Sequence, residues 1–455
     1  MSPKGGIKYL VAGSNCLLRL ESEFPMKASN SSFVSWSDTP LMFFFLFDMD
    51  FTRNLGLPTW VTGRRTVLFL LLILVLIQKR GRLCMRVNRF SERMVRSLAL
   101  ALSCFFLYTL AILLYAGWGS GEHLQIHIIK MLLITVLGAQ IISEYFGESQ
   151  RLFKALCRAS AVQGMVILLF LAFPTVQVTT DSLLNNVEHY LRLRSGGYAT
   201  GIACAAAPGA LRMAPGLISG IVLLLTERRS TAKWMLYTVL TACGMALIAR
   251  TGLILAALGI LVIILERKPN LRVTSGIVGS ILALAFIALL LVRILNLTDT
   301  LTYYLQRAQR LLEKGLQDDF FGNYTGRTDS STVIPRISIE TVIGTGIISG
   351  ISGNGIRINV DGGFIRLLTG FGIPVGICFY LFLLRFFSRA AMHFKSHHSR
   401  LVMVMMSVYI FLGEVKEYFI FDLYALCLFC AMLLLLDKSH WEERNDGNAI
   451  QLCVL

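Results

Sequence analysis

Lys79–Arg96, KRGRLCMRVNRFSERMVR, runs directly into Ser97–Trp118, SLALALSCFFLYTLAILLYAGW. The first half carries Lys79, Arg80, Arg82, Arg86, Arg89, Arg93 and Arg96 against a single acid, Glu92, and the second half carries no charge. An uncharged helix of that length rises about 33 Å, enough to cross a hydrocarbon core of about 30 Å. The basic half is what the cytoplasmic end of a membrane span looks like. Further windows of nearly uncharged sequence follow at Leu124–Ile142, Ala159–Val178, Val273–Leu295, Phe364–Leu384 and Tyr418–Leu436. Of 455 residues, 55% are hydrophobic and 15% charged, against about 25% charged in soluble domains. The chain reads as an all-α polytopic membrane protein.

The net charge of +16 invites a nucleic-acid reading, and its distribution removes it. After Lys79–Arg96 the next basic clusters are Arg151, Lys154 and Arg158, then Arg228, Arg229 and Lys233, then Arg267, Lys268 and Arg272, then Arg385, Arg389, Lys395 and Arg400. Each lies two spans from the last, while connections such as Gly119–His123 carry little positive charge. That alternation is the positive-inside pattern. Twelve crossings are expected, near 40–51, 66–78, 98–118, 124–142, 159–177, 208–225, 234–249, 252–265, 273–295, 363–386, 400–413 and 418–436. Even parity places both termini in the cytoplasm. The organisation is then a cytoplasmic extension over 1–39, nine helices over 40–295, a long outer loop over 296–360, three helices over 361–436 and a cytoplasmic tail over 437–455. Residues 1–39 lack a basic region leading into an apolar core, so they do not read as a signal peptide. No internal repeat is visible, which disfavours an inverted-repeat transporter.

Ten cysteines are scattered along the chain, several inside spans. Cys427 and Cys430 have redox or metal spacing but sit in an apolar helix without a nearby His or second pair, so packing is the expected role. His393, His397 and His398 fall in a cytoplasmic connection, where solvated charge is expected. No metal constellation, phosphate-binding glycine loop or Gly-x-Ser-x-Gly nucleophile motif occurs.

By parity, the tight hairpins at Ala246–Leu253 and Gly413–Tyr418, the loop Thr179–Gly197 and the long loop all face away from the cytoplasm. In the long loop Leu301, Leu305, Ala308 and Leu312 recur at helical spacing, as in an amphipathic surface helix. Phe320–Asp329 reads as a turn, and Ser331–Ile343 as a short helix placing Arg336 and Glu340 four apart. The glycines from Gly344 to Gly363 read as a flexible re-entry that packs no conventional core. Arg192, Arg194, Arg250, Arg327, Arg336, Arg357 and Arg366 gather on this outer side. Guanidinium groups grip phosphate oxygens in pairs, so the set suits a diphosphate at the membrane surface; interfacial anchoring is the alternative for each. Arg250 sits in a hairpin with no length for snorkelling. Asp361, in Asp361-Gly362-Gly363-Phe364-Ile365-Arg366-Leu367-Leu368, reads either as a base for an acceptor hydroxyl or as a helix N-cap. Glu414, Lys416 and Glu417 read either as site residues or as a compensated cluster closing a hairpin, with Asp329 and Glu340 as reserve acids.

Arg250-Thr251-Gly252 at a span end, and the Asp361–Leu368 stretch followed by Gly370 and Gly372, resemble the bacterial O-antigen polymerase family. The resemblance extends from about Pro40 to Leu436. Arg336 and Gly346 are separated by nine residues, one fewer than the family's arginine–glycine spacing, and Arg194 has no matching glycine. The resemblance implies a glycosyltransferase of the bacterial inner membrane that joins undecaprenyl-diphosphate-linked oligosaccharide repeats on the periplasmic face. Arg250, Arg336, Asp361 and Glu414 would be its catalytic residues. Arg192, Arg194, Arg327, Arg357, Arg366, Lys416 and Glu417 would hold substrate. No cofactor or metal is implied, because the lipid diphosphate is the leaving group. The implied partners are the lipid-linked oligosaccharide, a chain-length regulator protein and membrane lipid, with no nucleic acid. The related O-antigen ligases carry a histidine late in the long loop, and this chain has none between Asn296 and Gly363. A lipid-linked oligosaccharide flippase, the reading from a different class, lacks a long structured loop on one face. A structural or sensory membrane protein leaves the one-sided arginines without a purpose.

Overall fold

A computed structural model describes residues 30–47, 63–78, 89–183, 200–202, 204–227, 230–266, 339–352, 357–358, 362–416, 418–421 and 424–445. The described chain is mostly helical. Among the described residues, seven helices are long and apolar enough to cross a membrane: Phe90–Tyr115, Leu124–Phe146, Ser149–Ala172, Ala207–Thr226, Thr231–Ile248, Ile373–His393 and His397–Val415. Shorter apolar helices cover Ser37–Phe47 and Thr251–Ile263. The expected span at 273–295 and the amphipathic segment at 301–312 lie outside the described residues.

In chain order the helices are α1 (Asn30–Phe47), α2 (Gly63–Gln78), α3 (Arg89–Ala116), α4 (Leu124–Leu133), α5 (Ala139–Phe146), α6 (Ser149–Ala172), α7 (Pro174–Leu183) and α8 (Ala206–Thr226). Then come α9 (Thr231–Ile248), α10 (Arg250–Glu266), α11 (Ile339–Ile343), α12 (Gly363–Phe371), α13 (Ile373–His393), α14 (His397–Lys416) and α15 (Tyr424–Asn445). A π-helical turn, Ile134–Gly138, joins α4 to α5. Two boundaries move from the sequence reading. α1 starts at Asn30 and runs through the 39/40 boundary, and α15 continues past Leu436 to Asn445. The reason for the first is Asp38. It is 1% exposed and held by Arg151, with Nε to Oδ2 at 2.6 Å and Nη2 to Oδ1 at 2.8 Å, and by the Tyr145 hydroxyl at 3.0 Å. A carboxylate that deep must be paired, and this pairing holds α1 against α5 and α6 from residue 38 onward.

Small residues set how closely the spans approach. On α6, Gly164 lies against the Leu240 carbonyl of α9, and Gly244 of α9 faces the Gly164 Cα. On α8, Gly216 meets Ser160, and Gly220 meets Thr238 and Cys157. In a bilayer, where burial of apolar surface between helices contributes little, such close backbone contact is a main source of association. The second half packs on aromatics instead. Phe371, Phe379 and Phe421 stack near one end, and Phe386, Phe387 and Phe429 toward the other. α15 is deeply enclosed, with every residue from Tyr424 to Asp437 buried. Cys427 and Cys430 lie in that helix as free, buried thiols.

Three features depart from plain helices. The segment 363–386, expected as one span, is broken at Gly372, whose φ of 84° ends α12 and starts α13. The connection Gly119–His123 forms strand β1 (Ser120–His123), which pairs antiparallel with β4 (Ile347–Ile351), and β4 pairs with β5 (Arg357–Ile358). The glycine-rich re-entry therefore does pack: Ile347, Ile348 and Ile358 are buried. Its glycines make this possible, because Gly121 and Gly350 sit so close across the pair that a Cβ on either meets the opposite backbone. A second small hairpin, β2 (Thr200–Gly201) with β3 (Cys204–Ala205), sits against α6, where Gln163 donates to the Ile202 carbonyl at 3.0 Å.

The helix ends that carry the basic connections are tied together. Asp437 accepts from the Ser91 amide at 3.2 Å and bonds His393 Nε2 at 2.9 Å, while His393 stacks flat on Phe90. Lys438 donates to the Gly147 carbonyl at 3.1 Å, Lys154 pairs with Glu227 at 2.5 Å, and His397 bonds Glu266 at 2.6 Å. His393 thus holds helix ends together, where the sequence reading expects solvated charge, while His397 reaches Glu266 from an exposed position. Asp38→Ala is predicted to lower stability by roughly 3 kcal/mol, because it leaves Arg151 facing an apolar junction. The melting midpoint of detergent-purified protein checks this. Arg151→Ala should cost a similar amount, and the double variant clearly less than the sum.

Candidate functional site

At the opposite end of the bundle, α14 stops at Lys416 and the chain turns through Tyr418–Phe421 into α15. The turn is organised by Glu414, which is 0% exposed. One carboxylate oxygen accepts the Tyr380 hydroxyl of α13 at 3.0 Å. The other accepts the amides of Phe419 and Ile420 at 2.8 and 2.6 Å. These amides precede α15 and have no helical partner, so a buried acceptor here satisfies groups that hydrocarbon would otherwise leave unpaired. Gly413 allows the fold-back, since a Cβ there would strike the Phe419 ring.

Around this turn the structure gathers polar groups from three other elements. Arg366 on α12 lies within electrostatic reach of Glu414 and Tyr418. Tyr418 stacks on Phe421 and meets the edge of His127 on α4, at ring separations of 5.1 and 5.7 Å. Glu122 of β1 is near enough to act on both His127 and Tyr418. Burial holds the Tyr418 phenol well above its ordinary pKa, Glu414 and Glu122 push it the same way, and Arg366 opposes them. The Tyr418 hydroxyl, His123 Nδ1 and Gln125 Oε1 are buried without a hydrogen-bond partner among the described residues. Buried groups of that kind are few in folded proteins.

The described part of the re-entrant segment beneath is hydrogen-bonded to its neighbours. Thr345 and Gly346 donate their amides to the Thr369 and Gly370 carbonyls at 3.0 Å each, closing the end of α12. The Leu124 amide donates to the Gly346 carbonyl at 3.0 Å, and Tyr108 donates to the Ile343 carbonyl at 2.6 Å. The break at Gly372 therefore leaves α12 anchored to α3, β1 and β4.

On the other side of the same turn stand two arginines that the sequence reading does not single out. Arg64 donates to the Phe45 and Leu46 carbonyls at 2.9 Å each, capping α1, and lies 3.7 Å over the Tyr424 ring. Arg64 and Arg212, with Tyr409, Phe419 and Tyr424, line a void of about 10 Å³, room for about one water. Tyr409 donates to the Leu211 carbonyl and its ring packs on Phe419.

Of the residues expected from sequence, the structure brings Glu414 and Arg366 together. Arg250 begins α10 one residue after the buried Ala249, and Gly252 seats against the Met245 carbonyl, so the hairpin is as tight as expected. Its guanidinium, like the side chains of Arg357 and Lys416, lies outside the described residues. Arg357 enters β5 opposite Ile351. Asp361, Arg336, Arg192, Arg194, Arg327 and Glu417 also lie outside. The N-cap of α12 is Gly362, with no side-chain cap. Missed by the sequence reading are Glu122, His127, Tyr380 and Tyr418, and the pair Arg64 and Arg212. Arg212 carried the clearest available signal, a charge inside an apolar span. Glu122 was hidden because its connection reads as a plain turn, and His127 because its span is largely apolar.

Among the described residues, no three His, Cys, Asp or Glu side chains gather as a metal site. No protein-family model, curated protein or solved structure matches the chain. Chemically, the three donors on Glu414 make it a fixed anchor that orients Tyr380 and the turn, while Arg366, Tyr418, His127 and Glu122 face one another across it. Glu414→Ala is predicted to cost roughly 3 kcal/mol, since it leaves two amides and a phenol without an acceptor, and Tyr380→Phe about 1 kcal/mol. Melting midpoints in detergent, with membrane abundance recorded, check the ranking.

Proposed function

We propose that this chain is an O-antigen polymerase: a glycosyltransferase of the bacterial inner membrane with about twelve crossings, acting on its periplasmic face. It would move a growing glycan from its undecaprenyl diphosphate to the free sugar end of a new lipid-linked repeat. The observation that carries the reading is the gathering of Arg366, Glu414, Tyr418, His127 and Glu122 at the bundle end opposite the basic connections. A cluster bearing a cation and carboxylates at this end of the bundle suits a lipid diphosphate leaving group and a sugar hydroxyl acceptor. The order of Arg250-Thr251-Gly252 and Asp361–Leu368 along the chain supports the same family. In this scheme Arg250, Arg336 and Arg366, with Arg192, Arg194, Arg327 and Arg357, hold the two diphosphates. Asp361 assists the acceptor hydroxyl, Lys416 and Glu417 border the site, and Glu414 keeps the last outer turn in place. A chain-length regulator would act alongside it.

The lipopolysaccharide pattern of a strain lacking the gene tests the reading. A polymerase deletion leaves core bearing a single repeat, a ligase deletion leaves bare core, and a flippase deletion leaves no surface repeat.

Complementing that strain separates the residue roles. Arg250→Ala is predicted to abolish the ladder at normal membrane abundance, and Arg250→Lys to retain little of it, because ammonium lacks the two-pronged grip on phosphate. Asp361→Asn is predicted to insert normally and make no ladder, since asparagine keeps the shape of aspartate yet accepts no proton usefully. A full ladder from Asp361→Asn would remove that residue from the chemistry.

A further inference from the structure

α13 is exposed along one face, on which Leu381, Leu384, Arg385, Ser388, Arg389 and Met392 recur at helical spacing. That face is apolar on both sides of its two arginines. Leu381 and Leu384 before them are 59% and 52% exposed, and Met392 after them is 70% exposed. Arg385 stands eight residues before His393, where the helix ends, a rise of about 12 Å. The two cations therefore interrupt an exposed apolar surface and do not belong to the connection that follows it. A charge placed there is costly unless an anion meets it.

Among the described residues, no acid supplies that anion. α13 contains no Asp or Glu. α3 and α14 pack beside it. The acid of α3 is Glu92, which pairs with Arg96, and the acid of α14 is Glu414, which is bonded at the opposite end of the bundle. Asp437, which reaches α13, is held by His393 and the Ser91 amide. Arg151, Lys154 and Arg400, at the same end as the pair, are bound to Asp38, Glu227 and the Phe394 carbonyl. Arg385 and Arg389 have no hydrogen bond or ion pair with a described residue. Standing four apart on the helix, they are neighbours about 6 Å apart and repel each other. A phosphate between them relieves that repulsion and can be gripped by both guanidinium forks. On an exposed apolar helix face, the phosphate within reach is a lipid headgroup. We propose that Arg385 and Arg389, with the Ser388 hydroxyl on the same face, form a headgroup site for an anionic phospholipid of the leaflet at the basic end. The site goes beyond the polymerase reading and does not depend on it.

The test uses the full chain in nanodiscs of mixed phosphatidylglycerol and phosphatidylcholine, with the lipids retained on release read by native mass spectrometry. Both lipids carry a phosphate, but that of phosphatidylcholine has its own cation beside it. An arginine near a bilayer surface contributes about fivefold to the hold on an anionic lipid. Wild type is therefore expected to retain phosphatidylglycerol over phosphatidylcholine by at least about tenfold. Arg385→Gln combined with Arg389→Gln should lower this below about threefold, with each single variant in between. The double variant should keep the wild-type melting midpoint in detergent, and the single variants cover the case of its failing to fold. Arg96→Gln removes the same charge where Glu92 already pairs it, and should leave the preference unchanged. An unchanged preference in the folded Arg385 and Arg389 variants overturns the proposal. Equal retention of the two lipids by wild type also overturns it, and leaves the pair to an acidic segment of another protein. A loss in Arg96→Gln as large as in the double variant overturns it too, by making the preference a property of overall charge. The lipopolysaccharide pattern of the deletion strain bears on none of these outcomes, so the two readings fail separately.

Discussion

In hydrocarbon an unpaired amide or carbonyl has no water to turn to, and each costs several kcal/mol. The architecture follows from meeting that demand wherever the chain is not helical. Glu414 accepts the Phe419 and Ile420 amides at the last outer turn. Thr345 and Gly346 close the open end of α12, and β1 receives β4 along its edge. Because these bonds are in place, a broken helix and a re-entrant strand can sit at the bundle's end.

Charge is divided between the two ends of the helices. At the basic end, carboxylates are spent on fastening: Asp38 on Arg151, Glu227 on Lys154 and Trp234, Asp437 on Ser91 and His393. At the other end Glu414 is anchored by hydrogen bonds while Arg366, Glu122, His127 and Tyr418 face one another at longer range. The first arrangement holds helices in place, and the second brings polar groups together beside the last outer turn.

The membrane class and the main spans were legible because hydropathy and basic clustering are properties of long windows. Ser97–Trp118 needs no tertiary information to be read as a span. The site was legible only in part, because its members meet through contacts remote in sequence. Glu122 and Tyr418 lie nearly three hundred residues apart and become neighbours only when β1 and the last turn are stacked. Glycine-rich sequence after Gly344 signals freedom of the backbone, yet pairing with β1 uses that freedom to build a strand, which no local pattern announces. Tyr380 looks like an ordinary span aromatic until Glu414 is placed beside it. Arg212 was visible in principle, as a lone charge in an apolar stretch, and Arg64 acquires meaning only from the end of α1.

The burial of α15 bears on how the molecule is made. It is the last described helix in the chain, and α3, α5 and α14 pack against it. Leaving the ribosome after the other described helices, it must enter between partners already in the bilayer. Until then the Ser91 amide, the Gly147 carbonyl and His393 await Asp437 and Lys438. Its insertion is thus a keystone step, and a chain cut short before Tyr424 would present membrane quality control with an open bundle whose polar fastenings have nothing to grip.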